Sequence, residues 1–100
     1  LSEQKFNLQT SKERCYYMRI AVTDKPGVLS EISAVLRDHG LSIASMIQNG
    51  ESENGPVFLV ITTHKCAKID IERAAEVIGN TEHVLDSPMV IPIFDKGFFN

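Results

Sequence analysis

The sequence is short of most of what elaborate chemistry requires. In 100 residues it has two cysteines, six glycines, four prolines and no tryptophan. Two cysteines, Cys15 and Cys66, are too few for a disulfide framework, and both read as structural thiols of a reducing compartment. No apolar run approaches the roughly 20 residues of a membrane span, and the opening "LSEQKFNLQTSKER" lacks a signal-peptide core. The chain therefore reads as cytoplasmic, with no membrane partner. Ten Lys and Arg against thirteen Asp and Glu give a net charge of −3, and no basic run tracks a phosphate backbone, which argues against nucleic acid. The motifs GxGxxG, GxxxxGK[ST] and GxSxG are absent, and neither the cysteines nor His39, His64 and His83 have metal-ligand spacing. No metal, cofactor or catalytic residue is expected in this chain. Its length makes one domain, too small for a dinucleotide-binding domain plus a substrate domain.

What is present is a sequence of alternating periodicities. Residues 1–14 are polar and aperiodic and read as a linker from something upstream, leaving 15–100 as the domain. In "YYMRIAV", Met18, Ile20 and Val22 fall on one face and Tyr17, Arg19 and Ala21 on the other, the pattern of a half-buried strand. From Gly27 to His39, the positions Val28, Leu29, Ile32, Val35 and Leu36 form one helical stripe, and Gly40 is the expected left-handed stop. A second strand, Ser42 to Gln48, is read as alternating Ile43, Ser45 and Ile47 against Ala44, Met46 and Gln48. The turn-rich "NGESENGP" leads to "VFLVITT", whose near-continuous apolar run predicts a central strand covered on both faces. Ile71, Ala74, Ala75 and Ile78 mark a second helix between Ala67 and Gly79. "PMVIPIF" is strand-like but its two prolines assign it to a sheet edge, and the tail "DKGFFN" is apolar enough to pack. The order βαββαβ predicts an α+β, ferredoxin-like sandwich: a four-stranded antiparallel sheet, order 4-1-3-2, with two helices on one face.

The first helix has an unusual entrance, "TDKPGVL", Thr23 to Leu29. In the plain reading, Asp24 caps the helix, Pro26 sits at a first helical position and Gly27 permits tight packing. In the functional reading, unpaired N–H groups of Gly27, Val28 and Leu29 face a small anion. Asp24 would repel a simple anion. A free amino acid satisfies both, offering its carboxylate to the N–H groups and its ammonium to Asp24.

The stretch "RIAVTDKPGVLSEISAVLRDHGLSIASMIQ" resembles the ACT domain, the small amino-acid-sensing module, in its [DN]-x-PG-V/I-L entrance, amphipathic helix and G-x-x-I passage into a second strand. The resemblance runs from Tyr16 to about Phe94, and "SIASMIQ" and "VITTH" bring it nearest to the C-terminal ACT domains of bacterial homoserine dehydrogenases. It implies a non-catalytic regulatory domain of threonine and methionine biosynthesis. Its partners would be upstream catalytic domains carrying NAD(P), and a second copy joined as a homodimer through the second strand and first helix. ACT ligands commonly lie where the helix entrance of one copy meets the second strand of another. Matched by position, the resemblance implies ligand contacts at Val22, Asp24, Gly27, Val28 and Leu29 on the entrance and at Ser42, Ile43 and Ser45 on the strand. Serine-sensing relatives place His and Asn where Val22 and Asp24 stand, and Asn where Ser42 stands, so the expected ligand is threonine. The rival readings are an oligomerisation module with a vestigial pocket and a small enzyme.

Overall fold

The computed structural model describes residues 12–50 and 56–94. Strand β1, Glu13–Thr23, is longer than its alternation predicts and begins two residues inside the segment read as a linker. Tyr16, Met18, Ile20 and Val22 point inward and are buried, while Arg19 on the other face is exposed. Period-2 alternation thus translates directly into one buried face. Helix α1, Val28–Asp38, follows, and then β2, Ile43–Asn49, β3, Pro56–Thr63, and a two-residue strand β4, Cys66–Ala67. Helix α2, Lys68–Gly79, and strand β5, Met89–Ile93, complete the order.

The sheet is antiparallel with the order β5-β1-β3-β2, the predicted 4-1-3-2. β4 adds a fifth, short strand. It takes up the β1 partner role where β3 ends, with the register advanced by one residue: Tyr17 faces Thr62, then Arg14 faces Cys66. β5 pairs with β1 alone, as the proline content of that segment requires, with Pro92 opposite Tyr16.

Both helices send their apolar stripes onto one sheet face. Ile32 and Leu36 of α1 and Ile71 and Ile78 of α2 are fully buried against Met18, Ile20, Leu59 and Ile61. Each such side chain contributes about 1.5–3 kcal/mol by leaving water. Leu29, assigned to the α1 stripe from its spacing, is instead 41% exposed. The helix stops as expected: Gly40 has φ +76°, its N–H donates to Arg37 O, and Leu41 N–H reaches back to Leu36 O, both at 2.9 Å. This is a Schellman end, and Leu41 continues into the core.

Two strand expectations are corrected. β2 does not alternate cleanly, because the register shifts between Ile43 and Ser45. Ile43 faces Thr63 and packs on the core, whereas Ser45 and Ile47 pair with Thr62 and Val60 on the opposite face. The extra residue is Ala44, a bulge that a simple two-residue period cannot contain. β3 is central, but only Val57, Leu59, Ile61 and Thr63 are buried. Its other face, with Phe58 37% exposed, lies open together with Ile47, Met89, Ile91 and Ile93. Residues 51–55 of the turn-rich loop, and the tail from Asp95, lie outside the described residues.

Candidate functional site

The entrance to α1 is a reverse turn rather than a helical first turn. Lys25 O accepts Val28 N–H at 3.4 Å around Pro26 and Gly27, and Gly27 has φ +87° and ψ −11°. Proline second and a left-handed residue third make this a type II turn, which accounts for both residue types. Pro26 therefore precedes the helix, and Gly27 is its N-cap. A Cβ on Gly27 would meet nothing within 4 Å, so the glycine serves backbone conformation and not close approach.

The turn also alters the set of available donors. Val28 N–H is spent on Lys25 O, so the expected trio of Gly27, Val28 and Leu29 is not intact. The first intrahelical bond runs from Glu31 N–H to Gly27 O at 3.0 Å. Leu29 and Ser30 N–H therefore precede the helical ladder and have no acceptor within it. No side chain caps this end, so Asp24 is not the cap of the plain reading. Its carboxylate is exposed, and it takes part in no hydrogen bond or ion pair found among the described residues.

The remaining matched positions are spread widely. Val22 is buried beneath the helices, opposite Val57, and offers no side chain to solvent. Val28 is likewise core, whereas Leu29 is half-open at the surface. Ser42 is exposed, and its carbonyl accepts His64 N–H at 2.9 Å. Ile43 packs on the core, and Ser45 Oγ is hydrogen-bonded to Thr62 Oγ1 at 2.5 Å on the open sheet face. Ile43 and Ser45 thus lie on opposite sides of the sheet. Within one chain the two halves of the matched set are also far apart: Thr23 pairs with Pro56 at one end of β3 and Ile43 with Thr63 at the other. Seven residues of strand separate them, about 23 Å.

Residues 81–85 back the entrance, a role the sequence does not reveal. Thr23 N–H donates to His83 O at 2.9 Å, Leu85 N–H donates to Ala21 O at 2.8 Å, and Thr23 Oγ1 lies 3.4 Å from His83 Nδ1. His83 is partly buried at this tie. Sixty residues separate the partners, and no local pattern predicts such a contact.

The two cysteines occupy neighbouring strands but face apart. Cys15 pairs with Ile93 on the open face, while Cys66 is buried on the core side, so their Cβ vectors diverge and a disulfide is geometrically unfavourable. Burial pushes the Cys66 thiol up from its ordinary value, with the Thr63 hydroxyl opposing the shift.

Comparison with known proteins agrees with the fold. The ACT domain family model matches residues 16–83, more than half of the chain. The chain is 31% identical over 90 residues to homoserine dehydrogenase of Helicobacter pylori, covering 88% of this chain and 21% of that protein. It is 33% identical over 73 residues to the Pseudomonas aeruginosa homoserine dehydrogenase, covering 72% and 17%. A crystal structure of a homoserine dehydrogenase from Thiobacillus denitrificans superposes with a TM-score of 0.75 at 28% identity, over 86% of this chain and 19% of that one. The ACT domain of the Chlorobium tepidum GTP pyrophosphokinase superposes at 0.60 over 81% of this chain and 99% of that one; at 16% identity it shares the fold alone. The chain spans about a fifth of the length of the homoserine dehydrogenases it matches. A βαββαβ sandwich, a PGVL turn opening its first helix and a family match across both helices together establish that this chain belongs to the ACT domain family.

Proposed function

We propose that this chain is the amino-acid-sensing regulatory domain of a homoserine dehydrogenase, and that its ligand is threonine. The carrying observation is the Asp24 carboxylate, without a partner among the described residues, beside an uncapped α1 N-terminus where Leu29 and Ser30 N–H have no helical acceptor. A carboxylate and a set of backbone donors match the ammonium and carboxylate of a free amino acid.

A second copy completes the reading. β2 is an edge strand, and an exposed edge is a pairing template. If two β2 strands pair antiparallel about a two-fold axis, the Ser42–Ser45 end of one copy comes to the Thr23 end of the other. That symmetry supports a site shared between protomers, with α1 and β2 at the interface. The nicotinamide chemistry belongs outside this chain. "TDKPGVL" supplies one glycine between β1 and α1, and that glycine makes a turn instead of cradling a pyrophosphate.

The test is calorimetric titration of the chain with threonine, serine and methionine, with oligomeric state followed by light scattering. Threonine-selective binding by a dimer is expected. A dimer that binds none of the three is an assembly module, and a monomer at tens of micromolar removes the shared site.

A further inference from the structure

A separate recess lies at the opposite end of β1 from the α1 entrance. It is formed by Arg14 and Tyr16 of β1, Lys68, Ile71 and Glu72 of α2, and Val90, Pro92 and Phe94 at and beyond β5, and its volume is about 320 Å³. That volume is within the range of small-molecule sites, about 300–1,000 Å³. The floor is rigid, since Ile71 is fully buried and Tyr16 nearly so. Strand register sets the distance from the entrance: Tyr16 and Thr23 are seven residues apart along one strand, about 23 Å.

The rim is chemically lopsided. Among the described lining residues, Arg14 and Lys68 bring two positive charges against the single carboxylate of Glu72, which lies 3.9 Å from Lys68 Nζ. The Arg14 guanidinium lies over the Phe94 ring, 5.1 Å from its centre. This cation–π contact holds the Arg14 side chain at the rim, and a guanidinium carries five N–H donors that suit a carboxylate. Burial and Cys66 raise the Tyr16 phenol above its ordinary value, against the lowering effect of Arg14, and at neutral pH the phenol is an O–H donor. Behind these donors the walls are Ile71, Val90 and Pro92, which offer only hydrocarbon.

We propose that this recess is a second ligand site, taking a small carboxylate whose apolar body rests on Ile71, Val90 and Pro92 while Arg14 and Lys68 hold the anion. The net positive rim favours an anion over a neutral molecule of the same shape. The two sites lie at opposite ends of β1.

The test uses the whole 100-residue chain and two probes of equal shape, 3-phenylpropionate and 3-phenylpropan-1-ol, in amide NMR titrations at constant ionic strength. With the carboxylate, saturable shifts are expected at Tyr16, Ile71 and Val90, with Gly27 and Leu29 unmoved. The alcohol should bind at least tenfold more weakly. Arg14→Gln should cost the carboxylate tenfold or more and leave the alcohol unchanged, and the exposed Lys68→Gln should act in the same direction if the first variant folds poorly. Absence of saturable shifts, equal binding of acid and alcohol, or parent affinity in both variants overturns the proposal.

Discussion

Thr63 Oγ1 accepts the backbone N–H of Tyr16 at 3.0 Å, at the point where β3 gives way to β4. The ladder partners on either side are Tyr17 with Thr62 and Arg14 with Cys66, so the hydroxyl fills the gap left by the one-residue register change. Both groups are buried. Thr63→Val should therefore leave an unsatisfied donor and lower stability by about 1–3 kcal/mol. Thr63→Ser should recover most of that loss, and urea denaturation of the three chains measures both.

Gly27→Ala tests the turn at the helix entrance. The site is open, so the cost is purely conformational: a Cβ at φ +87° is strained by about 1–2 kcal/mol. Gly27→Asn should lose less, because asparagine visits the left-handed region more readily. Thermal melts should rank the chains parent, Asn, Ala. Equal melting of all three would mean that the turn relaxes freely.

Asp24→Ala separates binding from folding. The carboxylate is exposed and makes no cap bond, so stability should stay within about 0.5 kcal/mol of the parent. Threonine affinity should fall about ten- to a hundredfold, the loss of one charge-assisted hydrogen bond of roughly 1.5–3 kcal/mol. Calorimetry beside a denaturation curve reads both quantities on the same sample.

Alkaline stability should depend on Cys66 and Tyr16. Burial raises both groups above their ordinary values of 9.0 and 10.0, so the folded chain holds these protons more tightly than the unfolded chain does. Their contribution is fully present below those ordinary values and is lost as pH rises through the folded ones. Cys66→Ser should flatten the decline in unfolding free energy that begins near pH 9.0, whatever its baseline stability. An unchanged slope would exclude the thiol.

Much of the fold was legible because the strongest signals are periodic. Met18, Ile20 and Val22 could share a face only in a strand, and Ile32, Val35 and Leu36 only on a helix; two prolines in seven residues left the last strand one place, the edge. What was hidden depends on single residues or distant partners. The Ala44 bulge puts Ile43 and Ser45 on opposite sides, and strict alternation cannot foresee it. β4 exists because of a register change involving Thr63. At the entrance, the residue types marked the passage from β1 into α1, but not that Pro26 precedes the helix or that Gly27 serves a positive φ. The consumption of Val28 N–H by Lys25 O, and the tie between Thr23 and His83, required three-dimensional placement.

The Ala44 bulge has a consequence for insertions and deletions in this strand. Ile43 already faces Thr63 and Ser45 already faces Thr62, so the partners are consecutive on β3 but not on β2. Deleting Ala44 would make them consecutive on both strands and leave every other pairing in register. Deleting Ser45 would instead bring Ala44 opposite Thr62 and abolish the Ser45–Thr62 hydrogen bond. Position 44 is thus a slot where chain length can vary by one residue without turning β2 over, and the edge strand can change its local twist while each side chain keeps its face.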